Sequence, residues 1–441
     1  MNINAPTSRI VPARWLLASI VFLLGTPDGA VAQGNSDGSI YSRFGIGELQ
    51  SYGSPQIVAL GGGGTALGGN RYGNFTNPAA HASRFLTGVA AGLSYETVAA
   101  ADALDNSGRL SNGSLRAVQF GFPLIAAKLG VGASFTPYST RRYRIRLEDE
   151  LAPPSADPVP YTVDFLGNGG IQQASLGVGF AATPTLSVGV EGQLLFGLLE
   201  EQRETTFADS DYESSLLTNS LRLRGFTGRI GILVSLPELR SDADLLTFGA
   251  QFTLPSSLDA RQNFTSGPTQ ERDTLLVGVD GAIDLPWSAS LGAAYRSSPR
   301  WLIVADVRYE PWTDFSSTVG LPGYDPADPR GLSDRTRVSG GFEFIPAGND
   351  LLEPYFRRVG YRFGLFFDPL YLSADEEKSV NTIAVTGGLS LPTRLPGTRI
   401  DLNIEAGMRG AQEVGLVRER FIRFGLNLNV GERWFLKTRL G

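Results

Sequence analysis

The chain has no cysteine and a single histidine, His81, among its 441 residues. The missing cysteines exclude disulfide staples, thiolate metal sites and a cysteine nucleophile together. One histidine cannot form an imidazole cluster, and no carboxylates fall at metal-site spacing, so neither a metal nor any other cofactor is expected. Lysine is scarce: Lys128, Lys378 and Lys437 are the only three, and a net charge of −6 argues against nucleic acid as a partner. The basic residues are thus nearly all arginine, which keeps its charge when partly buried, where lysine shifts. Past the N-terminus no run of 18 apolar residues occurs although hydrophobic residues make up 42% of the chain, so membrane-spanning helices are excluded.

The N-terminus itself has the layout of an export signal. Arg9 and Arg14 precede an apolar stretch from Trp15 to Gly25, and Ala30-Val31-Ala32 supplies small residues before Gln33. Residues 1–32 are read as a signal peptide that is removed on export.

What fills the rest is alternation. From residue 85 to 430 apolar and polar residues alternate in about fourteen segments, each long enough to cross a bilayer when tilted. The third runs over roughly 127–146, the ninth over 300–317, the eleventh over 355–372 and the thirteenth over 398–410. Successive side chains of a strand point to opposite faces. In the ninth segment Trp301, Ile303, Ala305, Val307 and Tyr309 therefore oppose Asp306, Arg308 and Glu310. In the thirteenth Ile400, Leu402, Ile404 and Ala406 oppose Arg399, Asp401, Asn403 and Glu405. A lipid-facing arginine at mid-bilayer costs roughly 2–4 kcal/mol, so the charged rows must face a lumen. Connections after even-numbered segments tend to be tight, as at Ala182-Thr183-Pro184 and Ser298-Pro299-Arg300, while 147–160 and 318–332 read as longer polar loops. Trp287, Trp301, Tyr309 and Trp312 read as aromatic strand ends. The fold class is all-β: a transmembrane antiparallel β-barrel of about fourteen strands, in the outer membrane, with its lipid and the barrel-insertion machinery as obligatory partners.

Residues 33–84 differ, being rich in glycine and small residues. Gly61 to Gly64 can turn sharply and lie against other backbone. Ile57-Val58-Ala59-Leu60 followed by Gly61, Gly63 and Ala66 imitates a dinucleotide fingerprint, but no acidic residue follows until Glu96 and no βαβ pattern appears. Fourteen strands enclose more space than their own side chains fill, so this segment is read as a hatch inside the barrel. The expected organisation is a signal peptide at 1–32, a hatch at 33–84, a barrel at 85–430, and a tail or strand end at 431–441.

Three stretches resemble the FadL and TodX outer-membrane transporters of hydrophobic compounds, and especially a FadL-like branch common in Bacteroidetes. The first is Tyr41-Ser42-Arg43-Phe44-Gly45-Ile46-Gly47 with Ala66-Leu67 and Asn77-Pro78-Ala79. The second runs from Leu285-Pro286-Trp287 through Tyr295, Trp301, Asp306 and Tyr309 to Trp312-Thr313-Asp314-Phe315. The third comprises Arg358-Val359-Gly360-Tyr361-Arg362, Thr386-Gly387-Gly388-Leu389 and Gly407-Met408-Arg409-Gly410, with Arg433-Trp434-Phe435 near the end. The resemblance implies a hatch motif at Gly61, Gly63, Asn77, Pro78 and Ala79, a hydrophobic small-molecule ligand such as a long-chain fatty acid or hydrocarbon, and sideways exit at a kinked third strand.

Gly130, Gly132 and Pro137 are the candidates for that kink, unless Pro137 lies above the membrane where the strand frays. Arg308, Arg358 and Arg362 are candidate lumenal cations for a carboxylate headgroup, unless they pair with carboxylates such as Asp306 and Glu310. No strand-borne serine partner is evident for His81, so no enzyme is expected. The competing function is that of a FadL-like barrel serving a secretion apparatus, similar to the PorV shuttle protein, without transport of its own.

Overall fold

The computed structural model describes residues 38–50, 54–69, 73–152, 158–209, 211–268, 273–325, 331–371, 379–395 and 397–432. The expected signal peptide and residues 433–441, with Trp434 and Phe435, lie outside the described residues.

The chain forms a closed antiparallel barrel of 14 strands. The first four are β1 (Thr87–Ala101), β2 (Ser107–Ile125), β3 (Leu129–Thr140, resuming as Tyr143–Leu151) and β4 (Val159–Ala181). Then come β5 (Leu186–Phe207), β6 (Ser215–Pro237), β7 (Leu245–Thr253 and Ser256–Gly267), β8 (Asp273–Leu285 and Ser288–Ser298) and β9 (Trp301–Glu310). The last five are β10 (Arg335–Phe344), β11 (Gly360–Pro369), β12 (Asn381–Pro392), β13 (Arg399–Arg409) and β14 (Arg418–Glu432). β14 pairs with β1 from Arg418 opposite Ala101 to Glu432 opposite Thr87, which closes the cylinder and removes both sheet edges there.

The two faces obey the energetic rule that the sequence sets. In β9, Trp301 and Ile303 are 44% and 58% exposed while Leu302 and Val304 are buried. In β13, Ile400, Leu402 and Ile404 face out, while Asp401, Glu405 and Arg409 are buried inside. No helix among the described residues is long and apolar enough to cross a membrane. β4, β5 and β6 contain 23, 22 and 23 residues, about twice the roughly 9–11 a tilted strand needs, so they project well beyond the bilayer. By the usual asymmetry of such barrels, the end carrying the short turns is periplasmic.

Three strands break. β3 is interrupted at Arg141-Arg142, and its pairing with β4 shifts register between Pro137 and Ser139. Gly169 and Gly170 of β4, with φ of +102° and +149°, bend beside that break in a backbone region closed to other residues. β7 and β8 break together at Leu254-Pro255 and Pro286-Trp287, where a proline withholds a ladder donor in each.

The break in β3 opens the wall. β2 pairs with β3 only from Val118 opposite Phe135 to Ile125 opposite Leu129. Above that, Ser107–Ala117 is bonded to β1 and Tyr143–Leu151 to β4, and neither stretch pairs with the other. At ~3.3 Å per residue and a tilt of about 40°, the shared ladder reaches roughly 20 Å from the periplasmic end, so the seam begins near the outer leaflet.

Some sequence expectations shift. The ninth segment was expected to run to 317, but Pro311 ends β9 and the chain dives inward. Trp312, expected at an aromatic strand end, is 1% exposed in the lumen, packed with Phe315, Val319, Leu321 and Tyr324 against inward-facing Ile171, Leu195, Leu223, Leu258 and Ile283. The expected loop at 147–160 is shorter at both ends, since β3 continues to Leu151 and β4 starts at Val159, and residues 153–157 lie outside the described residues. The eleventh segment starts at Gly360 rather than 355, because Pro354 precedes a short helix, Tyr355–Arg358.

Candidate functional site

Before β1, the described residues 38–50, 54–69 and 73–84 touch strands all round the barrel. Helix α1 (Pro55–Val58) begins with Pro55 at its first turn and the Ser54 hydroxyl accepting from the Ile57 amide at 3.3 Å. The turn that follows it passes through Gly61 and Gly62, whose φ values of +79° and +89° only glycine adopts freely. The Asn77-Pro78-Ala79 stretch starts a 3-10 helix over Pro78–Ser83, with the Asn77 side chain accepting from the Ala79 amide at 3.0 Å.

The wall receives this backbone through glycines. A Cβ on Gly130 would meet the His81 carbonyl, on Gly132 the His81 ring, on Gly179 Pro78, on Gly189 the Ala79 amide, and on Gly231 the Asn77 amide oxygen, each closer than 3.0 Å. On the opposite side Gly341 and Gly364 make the same room for Leu60 and Gly61. A band of glycines around the wall is therefore the seat of the segment, and it accounts for part of the chain's 54 glycines. Gly130 and Gly132 pair regularly with both β2 and β4. They cradle His81, and the irregularity of β3 lies further on, at Pro137 and Arg141-Arg142.

Polar side chains then fix it. Asn77 Nδ2 donates to the carbonyls of Thr65 at 2.8 Å, Ile232 at 3.2 Å and Ala250 at 3.3 Å, joining the segment to β6 and β7. The Thr65 amide donates to Asp306 Oδ1 at 2.8 Å, and Gly63 packs against Oδ2 of the same carboxylate. Gln56 Nε2 lies 2.5 Å from Asp401 Oδ2, and the Gly61 amide donates to Thr386 Oγ1 at 3.0 Å. Glu48 meets Arg409 at 2.6 Å and Arg423 at 3.8 Å. Burial pushes its carboxyl up, but the two guanidiniums outweigh that and hold it below its usual range. His81, fully buried, accepts at Nδ1 from Arg84 Nε at 3.1 Å. Burial, with the charge of Arg84, pushes the imidazole well below its ordinary value and keeps it neutral.

The segment also patches the wall. Glu48 and Leu49 form a two-residue strand opposite Thr140 and Ser139, at the edge of β3 where β2 departs. The Gln50 amide continues the pairing to the Tyr138 carbonyl at 2.9 Å. Next to it lies a cavity of about 110 Å³, lined among others by Leu49, Pro137, Tyr138, Trp287 and Trp312. The breaks of β3, β7 and β8 all border this space. Arg229, Arg308, Glu310 and Arg335 give it charge. Glu310 is held by Arg335 at 2.7 Å, leaving Arg308 Nε a longer contact of 3.5 Å to its second oxygen.

The three arginines expected as lumenal cations thus separate. Arg308 faces the cavity. Arg362 is buried between Glu343 at 2.7 Å and Asp401 at 3.1 Å. Arg358 is not lumenal: it ends the short helix in the β10–β11 turn, beside the Tyr355 ring, because β11 begins two residues later. Sequence reasoning missed Glu48, Gln56, Thr65, Arg409 and Arg423 as anchors. Alternation put Arg409 on an inward face, but nothing local names partners hundreds of residues away.

These features define an outer-membrane β-barrel of the FadL type. Residues 15–441 match the BamG family, and the chain belongs to it. The fold is shared with the Pseudomonas putida toluene transporter TodX, at 17% identity and a TM-score of 0.56, covering 88% of this chain and 99% of that one. The Ralstonia pickettii toluene transporter TbuX is similar at 13% identity and 0.55, over 86% and 98% of the two chains. A Pseudomonas aeruginosa FadL homologue is similar at 12% and 0.56, over 88% and 100%. No curated protein matches in sequence. TodX and TbuX are toluene transporters.

Proposed function

We propose that the protein passes small hydrophobic compounds through the outer membrane and releases them sideways at the seam between β2 and β3. The observation that carries this reading is the cavity meeting the broken β3 at Pro137 and Tyr138, just where Glu48-Leu49 covers the strand edge. At about 110 Å³ the space is near the ~150 Å³ of an apolar cavity that takes benzene. Its size favours single-ring cargo, the class named for TodX and TbuX; a long-chain fatty acid would need the Trp312 loop to withdraw. Gly61, Gly63, Asn77, Pro78 and Ala79 form the hatch motif that rests on the glycine band, and Arg308 is the cation available to a carboxylate headgroup. Residues 1–32 direct export and are cleaved before Gln33, and the barrel-insertion machinery places the mature chain.

The chain lacks cysteine, so a pair at Leu49 and Ser139, opposed in the ladder, forms a clean lock. In cells carrying Leu49→Cys with Ser139→Cys, oxidation should abolish uptake of labelled toluene and reduction should restore it. Uptake equal in the oxidised, reduced and deletion strains would sink the proposal.

A second reading is favoured by the tight packing of Trp312, Phe315 and Leu321 into the lumen. A barrel stoppered in this way serves as a component of a secretion or assembly apparatus, without cargo. Co-purification of a stable protein partner, with uptake unchanged on deletion, would select it.

A further inference from the structure

The periplasmic turn between β10 and β11, residues 345–359, departs from its neighbours. The β8–β9 turn at the same end is only Pro299-Arg300. The longer turn is rooted: Ile345, Ala347 and Val359 are buried, and the Ile345 amide donates to the Arg300 carbonyl at 2.9 Å. Yet its tip carries Leu351, Leu352 and Phe356 at 80%, 96% and 76% exposure. Burying large apolar side chains is strongly favourable, so three left in water on a well-held turn call for a partner.

The partner is indicated by what the turn adjoins. Immediately above it, the periplasmic ends of β9, β10 and β11 carry an outward aromatic row of Trp301, Phe342, Tyr361 and Phe363. Trp301 stacks on Phe344 with centroids 4.3 Å apart, and Phe342 meets Phe363 at 5.8 Å. Such a row marks the level of the membrane interface. The hydroxyl of Tyr361, itself in that row, donates to the Phe356 carbonyl at 3.2 Å. The short helix Tyr355–Arg358 therefore hangs from the lipid-facing side of the wall, not beneath the lumen. Arg357 and Arg358 follow Phe356 directly, the order in which interfacial segments place apolar anchors beside phosphate-binding cations.

We infer that Leu351, Leu352, Tyr355 and Phe356 form a foot that inserts into the periplasmic leaflet of the membrane the barrel spans, with Arg357 and Arg358 at its phosphates. The foot fixes the depth and tilt of the barrel on the β9–β11 side, opposite in strand order to the β2–β3 seam. The inference is independent of whether the barrel transports.

The cysteine-free chain permits a direct test. Nitroxide labels are placed singly at Leu352→Cys and Phe356→Cys, and at Ser241→Cys in the β6–β7 turn, in full-length protein in phosphatidylethanolamine and phosphatidylglycerol vesicles. The first two labels should show an oxygen-to-nickel-chelate accessibility ratio severalfold above that of Ser241→Cys, approaching the ratio at lipid-facing Phe363→Cys. Ratios equal to that of Ser241→Cys in vesicles would overturn the inference. Shielding seen in native membranes but lost in vesicles would overturn it in favour of a protein partner. The substituted positions are exposed, and retention of heat-modifiable migration on gels reports an intact barrel.

Discussion

The side-chain amide of Asn77 donates to the main-chain carbonyl of Ile232, 155 positions away in the periplasmic half of β6, at 3.2 Å. The contact makes one polar side chain the joint between the N-terminal segment and a stretch of β6 that is already paired with a strand on each side. Its other partners, the carbonyls of Thr65 and Ala250 and the amide of Ala79, are equally fixed. Truncation to alanine strands several buried groups at once, and each unsatisfied group costs about 1–3 kcal/mol.

Asn77→Ala should therefore leave the barrel assembled but loosen its contents. Amide exchange over residues 64–82 is expected to accelerate by at least tenfold, with exchange in β12 to β14 unchanged. Asn77→Asp should be worse, since a carboxylate would face three carbonyl oxygens. Equal protection in all three proteins would show that the joint is not used.

The glycine band gives a sharper contrast within a single strand. A methyl at Gly189 would collide with the Pro78 and Ala79 backbone, while a methyl at Gly192 meets nothing within 4 Å. Both lie in β5, Gly189 on its buried face and Gly192 on its exposed one, so Gly192→Ala controls for a methyl added to the same strand away from the segment. Gly189→Ala should expose the segment to added protease in the folded barrel, and Gly192→Ala should behave as the parent chain. Identical cleavage patterns would argue that the seat tolerates a displacement of the 3-10 helix.

How much of this was legible beforehand follows from where the forces lie. The spans could be read because a charge in lipid is costly and side chains alternate strictly, so Asp401 and Ile404 sort themselves with no knowledge of their neighbours. The end of β9 was legible only in hindsight, through Pro311 after Glu310. Trp312 and Phe315 read as aromatic residues of a strand end, although they pack inward as a stopper. The breaks in β7 and β8 carry a proline each, but their joint effect depends on the two being aligned across the hairpin. The seat was least legible: an excess of glycine is visible in the composition, but which glycines lie under Asn77 and His81 is set by contacts between residues far apart in the chain. Arg358 misled because Val359 and Gly360 resume the alternation so cleanly that the strand seemed to begin earlier.

His81 makes seating depend on pH. Its buried imidazole is held neutral and titrates below its ordinary value near 6.5, whereas in a released segment it would titrate at that value. Between the two the released form binds more protons, so seating is unaffected above pH 6.5 and weakens progressively as pH falls below it. Amide protection over residues 74–84 should be the same at pH 8 and pH 7 but lower at pH 5.5. His81→Gln should flatten that dependence, and a profile unchanged by the substitution would assign the effect to another group.

On the proposed function, Arg308 sets whether the cavity can hold a carboxylate. Around the space Arg229 pairs with Glu191 at 3.3 Å, and Arg335 takes both Glu310 and Asp368 at 2.7 Å. Arg308 is left with the weaker, shared contact to Glu310, so an incoming carboxylate would find one guanidinium not yet committed. A charge-assisted hydrogen bond contributes about 1.5–3 kcal/mol, or roughly 10- to 100-fold in affinity. Arg308→Leu should thus weaken binding of benzoate by at least tenfold while sparing toluene, which makes no use of the charge. The comparison separates the headgroup role from a structural one, because a collapsed cavity would lose both ligands together. Retention of benzoate binding in the variant would show that Arg308 only neutralises Glu310.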